Sequence, residues 1–315
     1  MDEERMDMVL QVAEMVLPVL VMLGLGFWCH QKMIFDEKGL AGLKSVISDV
    51  LLPVVLFNAL FTAEYSMTTV LMLLVAYVGS TIAILAGFAL KRFVAPYGRF
   101  FPCLLTAAEG GMLGYALYGL LTGDQSGYAS VDLGQNIFGY TILLAVLKAA
   151  EGKSVKPRDM LRMMVTNRCF VGMALGMVLG VAGVGQIVLR HPLGDIFTHV
   201  VAMITAPVGA VVLLVVGYEL NLSRKLLKPV ALTVLFRLII MGILFLIMST
   251  VVFALVPFSK DVMLVLMVMY ALPAPFIIPL FADVGEDAEY ISTSLSVETL
   301  CTMILFAGIA AYAVA

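Results

Sequence analysis

The chain has 315 residues, 62% hydrophobic and 13% charged, with a formal net charge of −3 and a mean hydropathy of +1.06. Soluble domains are about half apolar and about a quarter charged, so this composition excludes an ordinary water-soluble fold and points to an integral membrane protein. With an acidic balance and no basic tract, nothing in it suits a nucleic-acid partner.

The opening residues, MDEERMDM, are acidic, so no cleavable signal peptide is expected. Apolar runs of roughly 20 residues, the length that crosses a hydrocarbon core, then follow at 9–29, 39–61, 69–90, 100–121 and 130–147 (spans 1–5). After the basic loop Lys148–Arg168 come 169–189, 196–220, 229–256, 262–282 and 291–313 (spans 6–10). Span 2 carries Pro53 with Asp49 and Asn58 on either side, and span 5 carries Asn136. Span 4 holds Glu109, Gly110 and Gly111 near its middle, within TAAEGGMLGYAL. A carboxylate at that depth is costly, and two glycines hold a helix weakly, so span 4 is expected to break and line a polar cavity. Span 7 contains Pro207, and span 9 contains LPAPFIIP, where Pro273, Pro275 and Pro279 cannot donate to the preceding turn. In span 10, Ser292, Ser296 and Thr299 share one face and Ser294 and Glu298 another, with Glu298 roughly 12 Å deep at the helical rise. Arg237 in span 8 is at a similar depth, and its side chain is long enough to snorkel to the surface. Glu14 and Glu219 are near span ends and are expected to reach water.

Loops after spans 1, 3, 5 and 7 hold nearly all the Lys and Arg; only Arg5, Arg190 and Lys260 fall on the other side. The side rich in Lys and Arg is therefore read as cytoplasmic, with both termini outside. Five spans on each side of the basic loop force any repeat to be inverted. The expected organisation is an all-α membrane protein of ten transmembrane helices. Its parts are a first five-helix repeat (1–150), a basic cytoplasmic loop (151–168) and a second, inverted repeat (169–315). Paired interruptions in spans 4 and 9 mark a transporter's binding site. Half-helices starting near Met112 and Phe276 would present unpaired N–H groups and partial positive charge to an anion.

The candidate substrate residues are Gly110, Gly111, Met112, Gly114, Pro273, Pro275, Phe276, Asn58 and Asn136. Glu109, Glu298 and Thr299 are candidates for a coupling proton or ion. Glu109 is read as closing the first half-helix of span 4, with no neutralising neighbour in sequence; an anion beside it would require it to carry a proton or bind a cation. The alternative is a neutral or cationic solute with Glu109 as counter-ion, or a membrane sensor that binds without moving its ligand.

Cys29, Cys103, Cys169 and Cys301 lack CxxC spacing and are expected as buried thiols, and His30, His191 and His199 form no metal-ligand pattern. No metal or other cofactor is implied. No HExxH, GxSxG or nucleotide-binding loop occurs, so neither an enzyme nor a primary pump is expected.

The sequence resembles the auxin efflux carrier family, which includes bacterial malate and malonate permeases and the plant PIN-formed carriers. The likeness runs through LPVLVMLGLGFWCHQKMIFDEKGLAGLKSVISDVLLPVVLFNALF, QNIFGYTIL, FRLII, ALPAPFIIPLFA and STSLSVETLCTMI. It implies two inverted five-helix repeats, a scaffold of spans 1, 2, 6 and 7, and a moving transport domain of spans 3–5 and 8–10. Spans 4 and 9 would cross at the site, and the protein would form a homodimer through the scaffold in a bacterial cytoplasmic membrane. The implied substrate is a small organic carboxylate, malate-, malonate- or auxin-like, moved by alternating access. Span 4 departs from the family pattern GN-x-G-x-x-G-x-P-L: Gly111 and Gly114 match, but Glu109 takes the asparagine position and Ala116 the proline position. Phe276 and Ile277 stand where an asparagine often follows the span 9 proline.

Overall fold

A computed structural model describes residues 3–63, 65–106, 108–123, 126–152, 156–221, 223–278, 282 and 284–315. Among the described residues the ordered elements are all helical. Seven helices are long and apolar enough to cross a membrane: Val9–Lys32, Glu37–Phe61, Met67–Val94, Ala129–Ala150, Gly194–Tyr218, Leu227–Leu255 and Gly285–Val314. An eighth is reached if Pro157–Thr166 and Arg168–Val181, bent by 79° at their junction, count as one. Ten were expected, and the shortfall has physical causes. Spans 4 and 9 are interrupted, and the first part of span 9, Lys260–Ala271, has 12 residues. At 1.5 Å per residue that is about 18 Å, short of a core about 30 Å thick. Span 6 is also divided rather than continuous: Arg168–Val181 stops before Gly183, whose φ of 76° ends the helix, and Val184–Arg190 resumes beyond it.

The prolines of spans 2 and 7 act differently. Pro53 lies in the first turn of Leu52–Phe61 and is preceded by a π-helical turn, Ile47–Leu51. The ring displaces the carbonyl one turn back, and the wider turn absorbs the misfit. Pro207 stands at the joint between Gly194–Thr205 and Val208–Tyr218. The basic loop is not structureless; it contains the helix Pro157–Thr166.

Small residues set the packing. A Cβ on Gly26 would be 2.1 Å from the Leu214 carbonyl oxygen, and one on Gly217 would be 2.2 Å from that of Leu23, so spans 1 and 7 touch backbone to backbone. Along span 6, Gly172, Gly176 and Gly180 meet the carbonyls of Pro53, Phe57 and Leu60 in the same way. Without a hydrophobic force between helices in lipid, such close approach supplies the association. Gly176→Ala is therefore expected to cost about 1–3 kcal/mol by overpacking. Gly242→Ala, with nothing within 4 Å of the new methyl, should be neutral. Thermal unfolding of the two purified variants checks the contrast.

Candidate functional site

Span 4 begins as the short helix Phe101–Leu104 and then loses its helical bonding. It resumes in the π-helical turn Gly110–Gly114 and the helix Tyr115–Thr122. Span 9 leaves its helix after Ala271, and Leu272 turns to an extended conformation (ψ 153°). The prolines at 273 and 275 supply no N–H to continue it. The two interruptions meet: the Glu109 N–H donates to the Pro273 carbonyl at 3.0 Å. Helical bonding in span 9 resumes as Ile278 donates to Pro275 and Ala282 to Ile278. Pro279 lies outside the described residues.

Broken helices leave carbonyls and N–H groups to be satisfied inside the membrane. Three charged side chains do this. Arg237 does not snorkel to the surface; it is 3% exposed. Its Nη1 donates to the carbonyls of Leu104 (2.8 Å) and Thr106 (3.4 Å), and its Nη2 to that of Leu272 (2.9 Å). One guanidinium thus takes up carbonyls at the ends of both first half-helices, where the helix dipoles are negative. Glu298 pairs with it (Nε to Oε2, 3.5 Å) and accepts the Ala274 N–H at 2.8 Å. Glu109 accepts the Phe276 N–H at 2.5 Å.

The position of Glu109 differs from the sequence expectation. It does not close the first half-helix, which ends at Leu104. It opens the second, its carbonyl accepting the Gly114 N–H at 3.0 Å. Its carboxylate accepts the Phe276 N–H, a partner that the sequence did not reveal.

A cavity of about 220 Å³ adjoins the meeting point. Glu109, Gly110, Gly111, Asn136, Pro275 and Phe276 line it, so six of the sequence candidates come together. Pro273 contributes its carbonyl just behind them. Met112 belongs to the π-helical turn, but its side chain lies outside the described residues. Gly114 is a packing glycine, since a Cβ there would be 2.7 Å from the Tyr128 ring. Asn58 lines a separate crevice of about 650 Å³ between spans 1, 2, 4 and 7. Thr299 lines a neighbouring cavity of about 400 Å³ with Ser292 and Ser296. Lys44, Glu219 and Phe276 border both this cavity and the first, and Lys44 is ion-paired to Glu219. Asp49, taken from the sequence as a polar group inside span 2, instead meets Arg168 at 3.0 Å in an exposed pair.

Two cavity residues were missed: Asp132 and Gln135, both buried in span 5. The signal was present as polar groups at i, i+3 and i+4 (Asp132, Gln135, Asn136) on one face of an apolar segment. Cys29 and Cys103 are buried, whereas Cys169 and Cys301 are only partly so. Cys169 borders the cavity, its thiol donating to the Ser48 carbonyl. Among the described residues no group of three or more His, Cys, Asp or Glu is placed to hold a metal ion.

The glycine pair separates packing from access. A Cβ on Gly110 would be 2.6 Å from Asp132 Oδ1 and 2.9 Å from Gln135 Oε1, whereas one on Gly111 would meet nothing within 4 Å. Gly110→Ala should therefore lower the unfolding temperature and Gly111→Ala should not, as thermal unfolding of the two variants will show.

Long apolar helices, two meeting breaks with charged side chains at their ends, and a cavity beside them are the features of a membrane-embedded protein. The family model described as membrane transport protein, that of the auxin efflux carriers, matches residues 11–309, so the chain belongs to this family and is a membrane transporter. No curated protein matches the chain.

Proposed function

We propose that the protein is a secondary transporter that moves a small organic carboxylate together with a proton carried by Glu109. The observation that supports this is the Glu109 carboxylate on the Phe276 N–H. An intrinsic anion there marks the position where a substrate carboxylate is stabilised by the broken helix of span 9. Protonation of Glu109 removes the charge that would repel the substrate and loosens its hold on that N–H. The substrate carboxylate then takes the N–H, and its departure lets Glu109 ionise and return.

In this reading the ten spans form two inverted repeats (1–150 and 169–315) joined by the basic loop. Spans 1, 2, 6 and 7 are the scaffold and dimer contact, and spans 3–5 and 8–10 carry the site. The backbone contacts of span 1 with span 7, and of span 2 with span 6, support a rigid scaffold. With the basic loops cytoplasmic and both termini outside, the Lys44–Glu219 end of the cavity faces the cytoplasm.

A second reading has a specific observation behind it: Glu109, Asp132 and Glu219 line the cavity, and Lys44 is already paired. That lining also suits a neutral or cationic solute with Glu109 as counter-ion. Counterflow of labelled malate and malonate in proteoliposomes, with labelled cations in parallel, decides between them. Exchange of a carboxylate supports the first reading; exchange of cations alone supports the second. Ligand binding without any exchange would make the protein a sensor.

A further inference from the structure

Asp132 and Gln135 take no part in the mechanism above, yet both carry buried polar atoms near the break. Asp132 is 1% exposed and Gln135 5%. Asp132 Oδ2, Gln135 Oε1 and Gln135 Nε2 have no hydrogen-bond partner among the described residues. Both side chains line the cavity that Glu109 borders. Asp132 Oδ1 and Gln135 Oε1 converge on Gly110, lying 2.6 and 2.9 Å from the point a Cβ would occupy, so only glycine leaves room for them. Asn136, one residue on, is held at the cavity edge by its Nδ2 donating to the Asp132 carbonyl at 2.9 Å.

An ionised carboxylate so deeply buried needs a compensating charge. The cationic side chains nearby are committed, Lys44 to Glu219 and Arg237 to Glu298 and the carbonyls of the breaks. A proton on Asp132 is the competing occupant: it would remove the charge and supply one O–H donor, and the test below separates it from a cation. A small hard cation satisfies several oxygens at once, and carboxylate, amide and unwound backbone oxygens are the ligands such cations prefer. Glu109, held by the Phe276 N–H, lines the same cavity and adds a second carboxylate that favours a cation there. Tyr115 and Tyr128, whose rings pack edge to face, are the other titratable groups close by; the Tyr115 hydroxyl is a donor within reach of Asp132, and Cys169 is at the cavity wall.

We propose that Asp132 and Gln135, facing the broken backbone at Gly110, form a sodium-binding site. This deepens the transporter reading by adding a sodium ion to the proton assigned to Glu109; only the coupling rests on that reading, and the binding does not.

The test uses the full chain purified in detergent, with sodium chloride compared against choline chloride at equal ionic strength. Thermal unfolding and binding of radiolabelled sodium are both read. Sodium is expected to raise the unfolding temperature of the wild type by several degrees through preferential binding to the folded state. The shift should vanish in Asp132→Asn and shrink in Gln135→Met. If Asp132→Asn does not fold, Gln135→Met and direct sodium binding to the wild type still decide. The proposal is overturned by a wild type that binds no sodium, by stabilisation from acid alone, or by a sodium shift unchanged in both variants. Sodium binding without carboxylate counterflow would uphold this site and remove the proposed substrate; counterflow without sodium binding would do the reverse.

Discussion

Arg237→Met is expected to destabilise the folded protein by about 3–5 kcal/mol, the usual cost of leaving one member of a buried ion pair uncompensated. Two losses combine. Glu298 keeps its charge without a cation, and the carbonyls of Leu104, Thr106 and Leu272 lose a shared donor at the ends of two interrupted helices. Arg237→Lys should recover only part of the loss, because an ammonium cannot present the planar fork that reaches both segments. The double variant Arg237→Met with Glu298→Gln removes the stranded charge. It should regain stability over the single variant but remain below wild type, since the carbonyls stay unsatisfied. Thermal unfolding of the three variants measures this directly. An Arg237→Met protein as stable as wild type would show that the guanidinium does not hold the breaks together.

Glu109→Gln should abolish the pH dependence of uptake while leaving the fold intact. The amide oxygen can still accept the Phe276 N–H, so the change in stability should stay within about 1 kcal/mol. What is lost is the proton. In the wild type, an acidic exterior should drive carboxylate uptake, because the loaded site carries a proton inward with the anion. In Glu109→Gln, uptake in a pH gradient should fall to the level seen without one. Proteoliposome uptake at two external pH values, with unfolding measured alongside, gives the answer. Unchanged pH dependence would remove Glu109 from the coupling.

Much of this arrangement could be read from single segments. The prolines at 273 and 275 announce their break locally, because they supply no N–H to continue a helix, and Glu109–Gly110–Gly111 marks the other by a charge beside two weak helix formers, although helical winding resumes at Gly110 itself. The apolar runs likewise reveal spans 1, 2, 3, 5, 7, 8 and 10 as continuous helices. What could not be read depends on partners distant in sequence. Arg237 looks like a snorkelling residue until the Leu104 and Leu272 carbonyls, freed by breaks in two other spans, are brought to it. Glu109 accepts a hydrogen bond from a backbone N–H 167 residues away. Asn58 lines a crevice separate from the cavity at the breaks, a placement set by how spans 1, 2, 4 and 7 pack and so not readable from span 2 alone. Gly183 ended span 6 early because a glycine in an apolar run gives no sign of whether it will adopt a left-handed turn.

The central claim is that the two interruptions meet at the bond between Glu109 and Pro273. Ala108 and Ala274 flank that bond on opposite segments and are both buried. In a background lacking the four native cysteines, Ala108→Cys with Ala274→Cys should form a disulfide on mild oxidation, identified as a linked peptide by mass spectrometry. Ser48→Cys with the native Cys169 restored, across the contact of spans 2 and 6 where the Cys169 thiol already reaches the Ser48 carbonyl, serves as the positive control. Cross-linking of both pairs is the result predicted here; cross-linking of the control alone would mean that the segments pass apart and that the site described has no basis.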